Sequence, residues 1–214
     1  TEDRFAHAAA AGQDFLEKAI LHLAEYAKEI TGSKNLCIAG GVGLNSVANG
    51  IGVRSGLFEE VWIQPSANGG GLALGAAFSV WHDDFGGARE FTMEHAYYGP
   101  GFTDDRIREV LEVSKLPYTE IDDPANFAGD LVAEDRIVGW FQGRLEAGPR
   151  ALGNRSILVH PKRAEMKDIV NKYVKHRESF RPFAPSAIEE RAEEFFDIDR
   201  PSPYMQKKYK IIVK

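Results

Sequence analysis

An α/β chain in two domains is the architecture this sequence predicts, on three observations. Short apolar runs at residues 36–39 and 61–64 alternate with segments of helical period. Each run feeds a glycine turn, Gly40-Gly41-Val42-Gly43 and then Gly69-Gly70-Gly71. A glycine-rich stretch at residues 83–101 interrupts the pattern before it resumes. In chains of this kind ligands gather at the C-terminal ends of the strands.

Taken in order, residues 1–12 are alanine-rich and carry no clear start signal. Asp14 and Glu17 resemble a capping box, and Phe15, Ala19, Leu23, Ala27 and Ile30 recur at helical spacing up to Gly32. An amphipathic helix is expected there. Residues 36–39 form the first strand, and Cys37 within it is expected to be a small buried hydrophobe. Gly40, Gly41 and Asn45 then mark a strand-to-helix turn whose backbone donors suit a nucleotide; a tight turn needing positive φ is the other reading. A glycine-broken helix over 46–57, a strand over 61–64 and a small-residue helix over 72–81 complete the first pattern. Gly70 and Gly71 lie in its second glycine turn. The expected division is residues 1–88, a linker at 89–101, and a second domain at 102–214.

The second domain opens with Thr103 capping a helix whose stripe is Ile107, Val110 and Leu111, followed by a short strand at 118–121. Asp123-Pro124 starts another helix, since proline suits the first helical position. The apolar run 137–141 has the character of a central strand buried on both faces. A strand at 156–159 and a helix striped by Met166, Ile169, Val170, Tyr173 and Val174 follow. Pro182 and Pro185 keep 177–187 extended. Residues 189–196 read as a short helix, and 201–214 as a strand cut before its natural partner.

Composition narrows the function classes. The 214 residues carry a net charge of −6 at pH 7, which argues against a general nucleic-acid binder. One cysteine excludes an intrachain disulfide and zinc-finger clusters. No apolar run approaches a membrane span of about 20 residues, so no membrane partner is expected and a cytoplasmic protein is the default. An anion site must therefore be a local concentration of arginine.

That concentration is present. Gly143-Arg144-Leu145-Glu146-Ala147-Gly148-Pro149-Arg150-Ala151-Leu152-Gly153-Asn154-Arg155-Ser156 sets Arg144, Arg150 and Arg155 among small, rigid residues, and Arg177 and Arg181 follow one helix-length later. Guanidinium groups present paired donors to phosphate or carboxylate oxygens, and glycine lets backbone N–H groups approach as well. All five are expected to line one cup, with Asn154 and Ser156 as neutral donors and Glu146 and Glu178 orienting the arginines. A solvated basic loop, or arginine–glutamate pairs that only organise the fold, are the structural alternatives. His160 has the pKa range of an acid/base but stands at a strand end before proline, where a structural role is more usual.

These segments, with Asn171 to Lys175, Arg177-Glu178-Ser179-Phe180-Arg181-Pro182-Phe183-Ala184-Pro185-Ser186 and Gly40-Gly41-Val42-Gly43-Leu44-Asn45, closely resemble O-carbamoyltransferases of the nodulation and antibiotic-tailoring type. The resemblance implies the closing part of an actin/hexokinase-like ATPase domain followed by a YrdC-like domain. It implies ATP-dependent transfer of a carbamoyl group from carbamoyl phosphate, through a carbamoyl-adenylate, to the hydroxyl of a small molecule. Arg144, Arg150 and Arg155 would be catalytic, and with Asn154, Ser156, Arg177 and Arg181 would bind carbamoyl phosphate. Gly40, Gly41, Asn45, Gly70 and Gly71 would face the nucleotide. A divalent metal, iron or magnesium, is expected with ligands outside this chain. Gly69 aligns with an aspartate of the family, and His7, His22 and His82 form no ligand motif. The chain is expected to be a fragment, inactive alone; a homodimer is left open. The competing readings are a nucleotide-binding regulatory module without turnover, and a threonylcarbamoyl-adenylate or hydrogenase-maturation relative.

Overall fold

The computed structural model describes residues 2–198 and 200–212. Among the described residues helices mix with three two-stranded sheets, giving α/β character. Two compact units emerge from the packing. Unit 1 comprises Thr1–Glu94, Gly148–Arg150 and Ile188–Lys214; unit 2 comprises His95–Ala147 and Ala151–Ala187. The last segment, expected to finish the second domain, thus packs within unit 1.

In unit 1, helix α1 covers Glu2–Thr31, a full three turns before the expected start. Ala6 and Ala8–Ala11 are the best helix formers and no proline breaks the stretch, so the Asp14–Glu17 signal is interior rather than a cap. Gly32 ends the helix with φ +63°, its N–H donating to Lys28 O at 2.9 Å, as a left-handed C-terminal glycine does. The expected buried stripe is corrected in part: Phe15, Leu23 and Ile30 are exposed, Ala19 and Ala27 are half-buried, and Leu16 and Ile20 are half-buried beside a buried Ala24.

Strand β1 (Asn35–Ile38) pairs in parallel with β2 (Glu60–Ile63), Asn35 opposite Glu60 and Ile38 opposite Ile63. Between them the 3-10 turn Gly41–Leu44 leads into α2 (Ser46–Arg54), capped by Asn45, whose side chain accepts from Ala48 N–H. A second 3-10 turn, Gly69–Gly71, leads into α3 (Leu72–Ser79), which widens to a π turn over Val80–Asp84. Cys37 is exposed, against expectation, because β1 alternates outward and inward and Cys37 takes an outward position. Of the strand expected over 201–214 only β6 (Lys210–Ile211) forms, residues 201–209 being turns and irregular chain, and it does have a partner, pairing antiparallel with β5 (Phe196–Asp197). Residues 213 and 214, the end of that expected strand, and Thr1 lie outside the described residues. The expected helix before β5 is a 3-10 turn, Glu189–Glu194.

In unit 2, α4 (Asp104–Val113) and α5 (Pro124–Ala133) start as expected, on Thr103 and on Asp123 with Pro124. The segment 118–121 is not a strand. Extended residues need a cross-strand neighbour; here Glu120 instead accepts from Arg108 Nε at 3.0 Å and Tyr118 donates to Glu112 at 3.3 Å, tying the segment to α4. Among the described residues strand β3 (Val138–Phe141) pairs only with β4 (Arg155–Leu158), antiparallel, Phe141 opposite Arg155. It is therefore not the doubly buried central strand its apolar run suggested, and Phe141 is exposed. Helix α6 (Glu165–Ile169) opens into a π turn, Val170–Val174. Met166 and Val170 are buried, but Tyr173 and Val174 of the expected stripe are exposed, and Asn171 takes the inward place. A π turn shifts the helical register and is often found at functional sites.

Candidate functional site

In unit 2 the loop between β3 and β4 is built around one carboxylate. Glu146 has a side chain with 0% exposure. Its Oε1 accepts from the backbone N–H of Leu152 at 2.8 Å, Asn154 at 2.9 Å and Arg155 at 3.2 Å, and its Oε2 accepts from Arg155 Nε at 3.1 Å. Arg155 Nη2 returns to Glu146 O at 3.2 Å. Burial alone would raise this carboxyl, but the backbone donors, with Leu152 foremost, and the Arg155 guanidinium prevail and hold it at about 2. The chain can close around Glu146 because Gly143, Gly148 and Gly153 all take positive φ.

The remaining groups of this loop are largely committed to it. Asn154 Nδ2, expected as a neutral donor to a ligand, gives one of its two hydrogens to Arg144 O at 2.7 Å. Ser156 Oγ accepts from Gly153 N–H at 3.2 Å. Arg144 gives Nε to Gly99 O at 2.8 Å and Nη2 to Tyr98 O at 3.1 Å. Tyr97 donates its hydroxyl to Leu152 O at 2.8 Å.

A second buried polar side chain organises the later arginines. Asn171, 1% exposed, accepts from Arg177 Nε at 2.7 Å and donates Nδ2 to Arg181 O at 2.9 Å and Ser179 O at 3.3 Å. Arg177 also donates to Pro182 O at 3.3 Å and lies over the Phe183 ring, 4.7 Å from its centroid. Arg181 pairs with Glu178 at 2.9 Å, and the Glu178 carboxyl is held below its ordinary value by its own backbone N–H and then by Arg181. Arg177 lines an open cleft of about 670 Å³ with Asp168, Lys172, His176, Glu178 and Ser179. Of the five arginines expected in one cup, this cleft holds only Arg177. Sequence reasoning gave Asn171 no role, since an amide inside a lysine-rich helix reads as surface.

Arg150 belongs to unit 1. Its Nη2 donates to Leu44 O at 3.1 Å, at the first glycine turn, and its Nε is buried without a hydrogen-bond partner among the described residues. The expectation of five arginines on the second domain is corrected to that extent. The two glycine turns are joined, Gly40 donating to Ala67 O at 2.8 Å with φ +97°. Asn45 is engaged twice, as the cap of α2 and in a reciprocal amide pair with Gln13 at 2.8 and 3.2 Å. A Cβ on Gly71 would fall 2.1 Å from Ser66 O, so that position admits only glycine; Gly70 N–H is held by Asn68 Oδ1 at 3.1 Å.

Gly69 and Gly41 face open space. Gly69→Asp is expected to change thermal stability by no more than about 0.5 kcal/mol, because the new side chain meets nothing and a carboxylate suits the start of a helical turn; a thermal melt checks this. Among the described residues no group of three or more His, Cys, Asp or Glu could hold a metal ion. His160 approaches Asp135 at 3.8 Å, and Asp135 pairs with Arg163 at 2.8 Å. Among the described residues no helix is long and apolar enough to cross a membrane.

Two family models match this chain: the carbamoyltransferase N-terminus over residues 2–78 and the carbamoyltransferase C-terminus over residues 129–213. The chain belongs to the carbamoyltransferase family. It is 44% identical over 200 residues to nodulation protein NolO of Bradyrhizobium diazoefficiens, covering 90% of this chain and 36% of the relative. Nodulation protein NolNO of Sinorhizobium fredii is 43% identical over 189 residues, with 87% of this chain and 28% of the relative covered. An uncharacterised protein of Synechocystis is 44% identical over 205 residues, covering 92% and 33% respectively. The chain thus spans about a third of the length of the curated relatives it matches. The N-terminal match contains both glycine turns, and the C-terminal match contains the arginine loop and the Asn171 segment.

Proposed function

We propose that this carbamoyltransferase chain forms part of an ATP-dependent O-carbamoyltransferase. The enzyme moves a carbamoyl group from carbamoyl phosphate, by way of a carbamoyl-adenylate, to the hydroxyl of a small molecule. In this reading residues 2–78 are the closing part of an actin/hexokinase-like ATPase domain, and the segment matched by the C-terminal model is YrdC-like. The observation that carries the reading is Arg177, fixed by Asn171 at the rim of an open cleft beside Lys172, His176 and Ser179, inside the segment matched by the carbamoyltransferase C-terminus.

Carbamoyl phosphate carries two negative charges next to a labile acyl centre. A guanidinium already oriented by a side-chain amide, a backbone carbonyl and an aromatic face holds such a phosphate without reorganising, and stabilises charge that builds on it as it leaves. Arg181 is paired with Glu178 and Arg155 with Glu146, and neither they nor Arg144 line this cleft, so the phosphate is assigned to Arg177 with Lys172 beside it. In unit 1, Arg150 stands at the first glycine turn, its Nη2 on Leu44 O, where a guanidinium suits a nucleotide phosphate. No step here is routed through a divalent metal, since among the described residues no group of three or more His, Cys, Asp or Glu could hold one.

Calorimetry tests both assignments. Carbamoyl phosphate is expected to bind the wild-type chain, and Arg177→Ala to weaken it by about 1.5–3 kcal/mol, roughly ten- to hundredfold. Arg150→Ala is expected to weaken ATP by a similar factor and leave carbamoyl phosphate unchanged. Equal carbamoyl phosphate affinity in wild type and Arg177→Ala removes Arg177 from the site.

A further inference from the structure

Within unit 1 the C-terminal segment reaches the first glycine turn through one side chain. Asn49, 1% exposed on α2, donates Nδ2 to Gly43 O at 2.8 Å and to Gln206 O at 3.0 Å. An amide nitrogen has two hydrogens, and these carbonyls take both. Gly43 is the third residue of the nucleotide-facing turn, so its carbonyl and a carbonyl of the C-terminal segment share one rigid donor.

The segment is held against this place at four further points. Gln206, itself 5% exposed, donates Nε2 to Gln64 O at 2.6 Å, directly after β2. Arg54 Nη1 donates to Lys208 O at 2.8 Å. Tyr204 meets the edge of Trp62 with ring centroids 6.0 Å apart. Gly50 lies so close to the segment that an added Cβ would stand 3.0 Å from Lys208 O and 3.2 Å from Lys208 N. Contacts of this kind leave no room for an independent tail; residues 204–208 are fitted to the back of the turn.

We infer that Asn49 is a positioning residue for the nucleotide turn and that residues 204–208 are the arm that sets it. With the arm seated, Asn49 is fixed and holds Gly43 O, and the backbone N–H groups at the start of the Gly41–Leu44 turn face outward in one geometry. With the arm displaced, one amide hydrogen loses its acceptor and Asn49 can turn away from Gly43. The inference rests on the nucleotide reading of the glycine turns for its functional part, but its structural part is separate.

Gly50→Ala, Gln206→Ala and the double variant test it without altering Asn49 or either glycine turn. Amide hydrogen exchange of the full chain is expected to quicken at residues 41–45 as well as at 204–208, most in the double variant. ATP affinity, by calorimetry, is expected to fall about tenfold in the double variant, with carbamoyl phosphate affinity unchanged. A merely structural role would lower both affinities together or neither. Unchanged exchange at residues 41–45 in the double variant overturns the inference, whatever ATP does. Faster exchange there, in a chain whose wild type binds no ATP, upholds the arm and overturns the nucleotide reading. Faster exchange with an unchanged ATP affinity overturns the functional part.

Discussion

Glu146→Ala is expected to cost on the order of 3–5 kcal/mol, a range set by the loss of one partner from a buried charged network. The alanine leaves the N–H groups of Leu152, Asn154 and Arg155 without the acceptor that now serves all three, and frees the Arg155 guanidinium. Chemical denaturation should report the loss, and a 214-residue chain should melt roughly 6–20 °C lower. Glu146→Gln separates charge from shape, since its carbonyl can still accept part of the bonds. The pH dependence follows from the sign of the shift. The folded carboxyl titrates at about 2, below its ordinary 4.5, so it stabilises the fold at every pH above 4.5 and that contribution drains away between 4.5 and 2. The difference corresponds to roughly 3 kcal/mol. Wild type should therefore lose stability relative to Glu146→Gln as pH falls through that window; parallel curves would show that the carboxylate is not the cause.

Asn171→Ala is the second large effect, about 2–3 kcal/mol. Its amide serves three groups of residues 177–181 from a fully buried position, so the alanine strands two carbonyls and the Arg177 Nε at once. Stability is only half of the expectation. Arg177 should lose its fixed orientation, so carbamoyl phosphate affinity should drop by nearly as much as in Arg177→Ala, although Asn171 is not among the residues lining the cleft. Asn171→Asp offers a finer comparison: it keeps the acceptor for Arg177 and removes the donors to Ser179 O and Arg181 O. Retained affinity with lowered stability in that variant would assign orientation to the Oδ1 atom alone.

Much of this organisation could be read before any coordinates. The strand–glycine turn–helix units, the starts at Thr103 and Asp123, and the glycine stop at Gly32 are local chemistry, decided by a few neighbouring residues. The arginine-rich loop and its orienting Glu146 were also legible, because glycine and proline spacing constrains a loop whatever surrounds it. Three things were not. Asn171 sits in a π turn, and hydrophobic periodicity assumes the narrower α period, so its inward direction was hidden. Arg150 carries the same sequence signal as Arg144 and Arg155, yet packs in the other unit, a choice made by contacts with Leu44 far along the chain. The apolar run of β3 suggested burial on both faces, but run length cannot count the strands beside it.

The bond from Asn49 to Gln206 joins residues 157 positions apart. During synthesis α2 emerges long before its second acceptor exists, and all of unit 2 must be made in between. Closing so long a loop costs chain entropy that is recovered only when the last segment docks. Unit 2, whose segments lie between those partners, can acquire its buried Glu146 and Asn171 networks first, and α2, made before it, is among the last elements to reach its final packing. Refolding of unit 1 should accordingly be the slower phase.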